Sequence, residues 1–193
     1  MRELDIINEI RGKVVSRREH TGTKLFLVFG YITLFMFMAE FLALELWNTN
    51  LCTWLWLCIL IVGMPLMGYH VRKDFNRTGR RTPDEYLALQ LWLFVGGASA
   101  MCGLTTGFAG VYAQCYCLIQ GLLLGMGCFL TGAISRFRTM VVCGIIGALL
   151  SFVCLFFQGV LWPWQLLIMA LVTIITLVIP GHACRRYINK EKI

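Results

Sequence analysis

After a polar opening at residues 1–23, apolar residues dominate six long stretches, 25–46, 51–71, 87–107, 112–134, 139–157 and 162–184, divided by short polar connections. Each stretch is close to the roughly 20 residues that an α-helix needs to cross the hydrocarbon layer of a bilayer. The connections at 47–50, 108–113 and 158–164 are short, so the stretches they join pair as antiparallel hairpins. The pattern predicts an all-α integral membrane bundle: six transmembrane helices in three hairpins over 24–186, followed by a tail at 187–193.

The polar segments carry their own periodicity. Over residues 2–18, Ile6, Ile7, Ile10 and Val14 recur at helical spacing among charged neighbours, which predicts a short amphipathic helix lying on the membrane surface. The same stripe, centred on Ile7, Ile10 and Val14, would serve equally to dock a cytoplasmic protein partner. The longest connection, 72–86, presents Arg77, Arg80 and Arg81 and closes in Thr82-Pro83-Asp84-Glu85. A hydroxyl at the cap, proline at the first helical position and carboxylates facing the helix dipole together mark a helix start near Pro83.

Charge then orients the bundle. All 17 Lys and Arg residues fall in segments 2–24, 72–81, 136–138 and 185–192, and the alternate connections contain none. Retention of basic residues on the inner side predicts cytoplasmic N and C termini in a bacterial inner membrane. The net charge of +7 is thereby explained by topology and by anionic lipid headgroups, and nucleic acid is not an expected partner. The first apolar run has no small-residue cleavage site and is long enough to stay as a span. At 59% hydrophobic residues and a mean hydropathy of +0.75, the chain has no room for a soluble catalytic domain.

Small residues suggest how the helices meet. Gly96 and Ala100, Gly103 and Gly107, and Gly121 and Gly125 are four apart, the spacing that lets helix backbones approach closely. This predicts that the third and fourth spans form a tightly packed centre, with a homodimer interface as the competing use of the same glycines. Gly68, Gly132 and Gly181 each precede an arginine by four residues, and Pro65 and Pro180 lie just before two of them. The recurrence reads as a threefold hairpin repeat, and the two prolines as bends or candidate hinges.

Glu40 is the deepest ionisable residue, some way into the first span, and an acid at such depth is a functional candidate. Gln90, Gln114 and Gln120, together with Gln158 and Gln165, are its candidate neutral partners; Glu45 lies near the outer end. The nine cysteines show no C-x-x-C or zinc spacing and read as packing residues, with Cys52, Cys115 and Cys117 toward the outer face. His70 and His182 sit beside arginines and read as interfacial helix caps rather than as a metal pair. No catalytic, metal or cofactor site is assigned.

The opening RELDIINEIR, the loop RKDFNRTGRRT, the segments FVGGASAMCG and GFAG, and the closing VIPGHACRR resemble a family of small six-helix bacterial inner-membrane proteins with no assigned activity. In plan alone the chain also resembles three-hairpin membrane proteins related to bacterial acid resistance. The reading that follows is a non-enzymatic accessory or regulatory membrane protein acting through its basic cytoplasmic face. The alternative is a small-solute or proton-coupled transporter or channel with Glu40 in its pathway. A membrane thiol oxidoreductase ranks third, because no acid, base or cofactor motif accompanies the cysteines.

Overall fold

The structure is a computed structural model; it describes residues 26–46, 83–109, 113–157 and 162–190, with positions 68, 69 and 72. The amphipathic opening with Ile7, Ile10 and Val14, the second span with Pro65, and Arg77, Arg80 and Arg81 lie outside the described residues. The described chain is helical: α1 (Phe26–Leu46), α2 (Pro83–Ala109), α3 (Ala113–Ile134), α4 (Arg138–Ser151), α5 (Trp162–Thr173) and α6 (Ile179–Lys190). A 3₁₀ segment, Phe152–Phe156, extends α4, and a π segment, Ile174–Val178, joins α5 to α6 in one rod. Five of these helical stretches are long and apolar enough to cross a membrane.

α2 begins at Pro83, where the Thr-Pro-Asp-Glu signal places it, and its 27 residues are about 40 Å long at 1.5 Å per residue. That exceeds a hydrocarbon layer of about 30 Å, so the helix overhangs with Pro83, Asp84 and Tyr86 exposed at its start. The last helix, by contrast, departs from expectation. It runs on through Arg185 and Arg186 to Lys190 rather than stopping at Cys184. Hydropathy marks where the apolar layer ends, and Arg and Lys are good helix formers that carry a helix past it.

α3 is the hub of the described bundle, and its closest partner is α4. A β-carbon on Gly125 would lie 2.7 Å from the Ala148 amide nitrogen, and one on Gly132 would lie 2.6 Å from that of Val141. Gly121, earlier on α3, faces Ser151, further on along α4, so the register runs antiparallel. Gly144 returns the approach from α4, against the Phe129 backbone. The glycine contacts therefore correct the expectation of a third-and-fourth-span centre. Gly121 and Gly125 join α3 to α4, and the apolar window of α2 is only 6% buried, against 50% for the α5–α6 rod. α2 meets α3 by side chains instead: Trp92 Nε1–H donates to Thr131 Oγ1 at 2.9 Å, and Trp92 and Val95 cover Gly127.

Between α3 and α4 the chain reverses in three residues. Arg136 N–H reaches the Ala133 carbonyl at 3.3 Å and Phe137 N–H the Gly132 carbonyl at 2.9 Å, while Arg136 takes the left-handed conformation with φ of 54°. These are the paired bonds of a Schellman ending, which satisfy helix C-terminal carbonyls and ordinarily place glycine where Arg136 stands.

The π segment has a local cause and a tertiary seat. Pro180 has no N–H and its ring crowds the carbonyl four residues earlier; just before it, Ile179 N–H bonds to the Ile174 carbonyl, one residue further back than α-helical spacing. The widened turn pushes out Thr176 and Leu177, which fit against Gly147 of α4 and Gly30 of α1 respectively. Gly181 in turn faces Leu27, so α1 runs antiparallel to the rod. The main apolar core gathers around this seam: Phe37, Leu124, Leu166, Met169, Ala170 and Leu177 with Cys117 and Cys154.

Candidate functional site

Two groups of polar residues stand out, one inside the bundle and one at its arginine-bearing end. The interior group centres on Glu40 of α1, which is 6% exposed. It lies close enough to Tyr116 and Cys117 of α3 to act on both electrostatically. Tyr116 shares a side-chain hydrogen bond with Gln120, one helical turn on, and Gln120 Nε2–H donates to the Ser99 carbonyl of α2 at 2.9 Å. The phenol and the amide on α3 thus tie that helix to α2, with the buried Glu40 carboxyl of α1 within electrostatic reach.

A second interior element adjoins it through Cys154, which lies in the same core cluster as Cys117. Gln165 of α5 is fully buried, and its Nε2–H groups donate to the Cys154 carbonyl at 3.0 Å and to the Phe157 carbonyl. These carbonyls lie at the end of the 3₁₀ extension of α4, so Gln165 caps a neighbouring helix. Its Oε1 is buried and has no hydrogen-bond partner among the described residues. Three further buried hydroxyls turn inward on their own helices: Ser151 donates to Gly147, Thr173 to Met169 and Thr176 to Val172, each at 2.8 Å. Hydroxyls bonded in this way sit in an apolar interior without demanding a partner from another helix.

At the other group, tertiary contacts assemble three elements. Tyr31 of α1 shares a 2.7 Å hydrogen bond with Nε2 of His182 on α6, their rings edge-on at 6.0 Å. Phe137 of the α3–α4 turn meets Tyr187 of α6 with ring centroids 6.0 Å apart. That contact brings Arg136 and Arg138, which flank Phe137, beside Arg185 and Arg186, and all four arginines are exposed.

Of the residues singled out in the sequence, Gln120 bonds to Tyr116 and to the Ser99 carbonyl, and Glu40 is buried within electrostatic reach of Tyr116. Gln90 is exposed on the first turns of α2, and the Gln114 side chain lies outside the described residues, as do Gln158, His70 and Cys52. Gly103 makes only ordinary contact with the Tyr116 ring, Gly96 is partly buried, and the surroundings of Gly107 lie outside the described residues. Pro180 is fully buried at the end of the π segment. Cys115 and Cys117 are free thiols. The sequence reading missed Tyr116 and the capping role of Gln165. Tyr116 is spaced four residues from Gln120 on one helix face, a signal available to inspection; nothing local foretells which helix end Gln165 reaches.

The class defined here is a helical protein with several helices fit to cross a membrane. No family model, curated protein or solved structure matches the chain.

Proposed function

We propose that the chain is a six-span inner-membrane protein with three hairpins and both termini in the cytoplasm, and that it acts as a non-enzymatic accessory or regulatory protein through its basic face. The observation that carries this reading is the division of polar groups. Arg136, Arg138, Arg185 and Arg186 stand exposed together at one end. Within the bundle, Gln120 and Gln165 instead donate to main-chain carbonyls of neighbouring helices, and Ser151, Thr173 and Thr176 donate to carbonyls of their own helices. In this reading Arg77, Arg80 and Arg81 and the stripe Ile7, Ile10 and Val14 complete the face that a cytoplasmic protein engages.

The test has two parts. Cysteine-accessibility labelling on a cysteine-free background should label Asn48→Cys from outside the intact inner membrane and should spare positions in 72–81. Site-specific photo-crosslinking in cells should then give a discrete protein adduct from position 80, lost when Ile7, Ile10 and Val14 become Ser. Labelling of Asn48→Cys only after the membrane is opened would defeat the orientation.

A second reading, a small-solute or proton-coupled transporter, is favoured by the burial of Glu40 in α1, since buried acids in membrane spans mark solute and proton paths. Solute-driven pH change in proteoliposomes separates the two. Flux in the wild type that Glu40→Gln abolishes would replace the accessory reading; absence of flux across candidate solutes would remove the transporter.

A further inference from the structure

Two pairs of arginines distant in sequence, Arg136 with Arg138 and Arg185 with Arg186, meet at one end of the bundle because Phe137 packs edge-on against Tyr187. Among the described residues none of the four has an ion-pair partner. Their depth is set by the helices that carry them. The apolar span of α4 starts at Arg138 and that of the α5–α6 rod finishes at Tyr187, so the guanidinium groups stand at the boundary where headgroups lie.

Below the arginines the surface turns apolar along the same helix faces. Val142, Ile145, Ile146 and Leu149 follow Arg138 at spacings of three and four, all exposed, and Ile179 lies two turns below Arg186. A cationic rim continuous with an apolar stripe fits an amphiphile rather than a soluble anion. The backbone adds an independent observation. Arg136 holds a left-handed conformation that glycine adopts freely and that is unfavourable for an L-residue, so its guanidinium stands at this edge against a conformational penalty.

We infer that this end of the molecule binds an anionic phospholipid. The guanidinium groups of the turn and of α6 close on the headgroup phosphate, and an acyl chain follows the Val142–Leu149 stripe. Arginine suits this task because its planar fork donates two parallel hydrogen bonds to one phosphate and is weakly hydrated. The inference concerns the arginine end alone and does not depend on which protein, if any, engages the loop at 72–81.

The test uses the full chain, delipidated in a zwitterionic detergent. Thermal unfolding and native mass spectrometry are read after adding phosphatidylglycerol, cardiolipin, phosphatidylcholine or inorganic phosphate. Phosphatidylglycerol and cardiolipin should raise the midpoint by several degrees and leave a retained lipid adduct; phosphatidylcholine and inorganic phosphate should do neither. The double variants R136Q/R138Q and R185Q/R186Q should each lose most of the shift and the adduct, while K190Q/K192Q, which removes the same charge from the tail, should keep both. Arg136→Gly guards against a folding defect, because it relieves the backbone while deleting the guanidinium, and it should fold well yet retain less lipid. An equal response to inorganic phosphate or to phosphatidylcholine would overturn the proposal, as would an equal loss in K190Q/K192Q or undiminished retention in both arginine double variants.

Discussion

Gly147 of α4 faces the methyl group of Thr176, so closely that a β-carbon on Gly147 would overlap it. Thr176 is pushed toward α4 by the π turn ahead of Pro180, and Gly147 is the notch that receives it. Gly147→Ala should therefore destabilise the protein by about 1–3 kcal/mol, the usual cost of overpacking a filled core. Thr176→Ser removes the offending methyl, keeps the hydroxyl and should recover most of the loss in the double variant. Thermal unfolding in detergent of the wild type, both single variants and the double variant checks this. Additive losses would mean that the two residues do not share the contact.

The glycines of α3 differ in what surrounds them. Gly121→Ala meets the Ser151 side chain and Gly125→Ala meets the Ala148 and Gly144 backbones, so both should lower the unfolding midpoint, and Gly125→Ala should be the worse because backbone cannot swing aside. Gly103→Ala on α2 has only the Tyr116 ring nearby, at 3.7 Å, and should be neutral, or gain about 0.5–1 kcal/mol from the better helix former. Equal effects at Gly103 and Gly125 would return α2 to the tightly packed centre.

Gln165 joins α5 to the end of the α4 extension, and nothing apolar can replace its two donations. Gln165→Leu keeps the volume roughly constant while removing both donations; the Cys154 carbonyl retains the Phe157 N–H, and the Phe157 carbonyl loses its Gln165 donor, at a cost of about 1–3 kcal/mol. The loss should appear as a lower midpoint and as faster amide exchange in residues 152–157, measured by hydrogen–deuterium exchange. Unchanged exchange there would show that the cap contributes nothing.

Arg136 offers the opposite sign. Because its φ of 54° suits glycine, Arg136→Gly should raise stability by about 1 kcal/mol in lipid-free detergent, and Arg136→Val, with a β-branched side chain, should lower it. Thermal midpoints of the two variants on either side of the wild type would confirm the turn; the same midpoint for both would mean that the turn relaxes out of the left-handed conformation.

Much of the architecture is legible in the chain. The charge gaps and apolar lengths mark α1, α2, α3, α4 and the α5–α6 rod, and Thr-Pro-Asp-Glu marks the start of α2. The depth of Glu40 within its span is likewise read from position alone. The candidate site is less legible. Gln120 and Glu40 are both recognisable as polar residues in apolar stretches, yet Tyr116, which bonds to Gln120 within electrostatic reach of Glu40, resembles any interfacial aromatic until α1 and α3 are placed side by side.

What the sequence by itself determines is how many apolar residues follow one another and where the charges fall, because the cost of placing a residue in hydrocarbon is largely its own and sums along the chain. What only the tertiary structure decides is which face of each helix meets which neighbour. A helix apolar on all sides carries no stripe to announce its partner, so close packing makes the choice. The turn of three residues sets Gly121, Gly125 and Gly132 against α4, and a missing proline N–H widens the rod until Thr176 fills Gly147. The edge-on contact of Phe137 with Tyr187 then gathers arginines that lie some fifty residues apart in the sequence, a convergence that depends on side-chain shape and that no hydropathy pattern encodes.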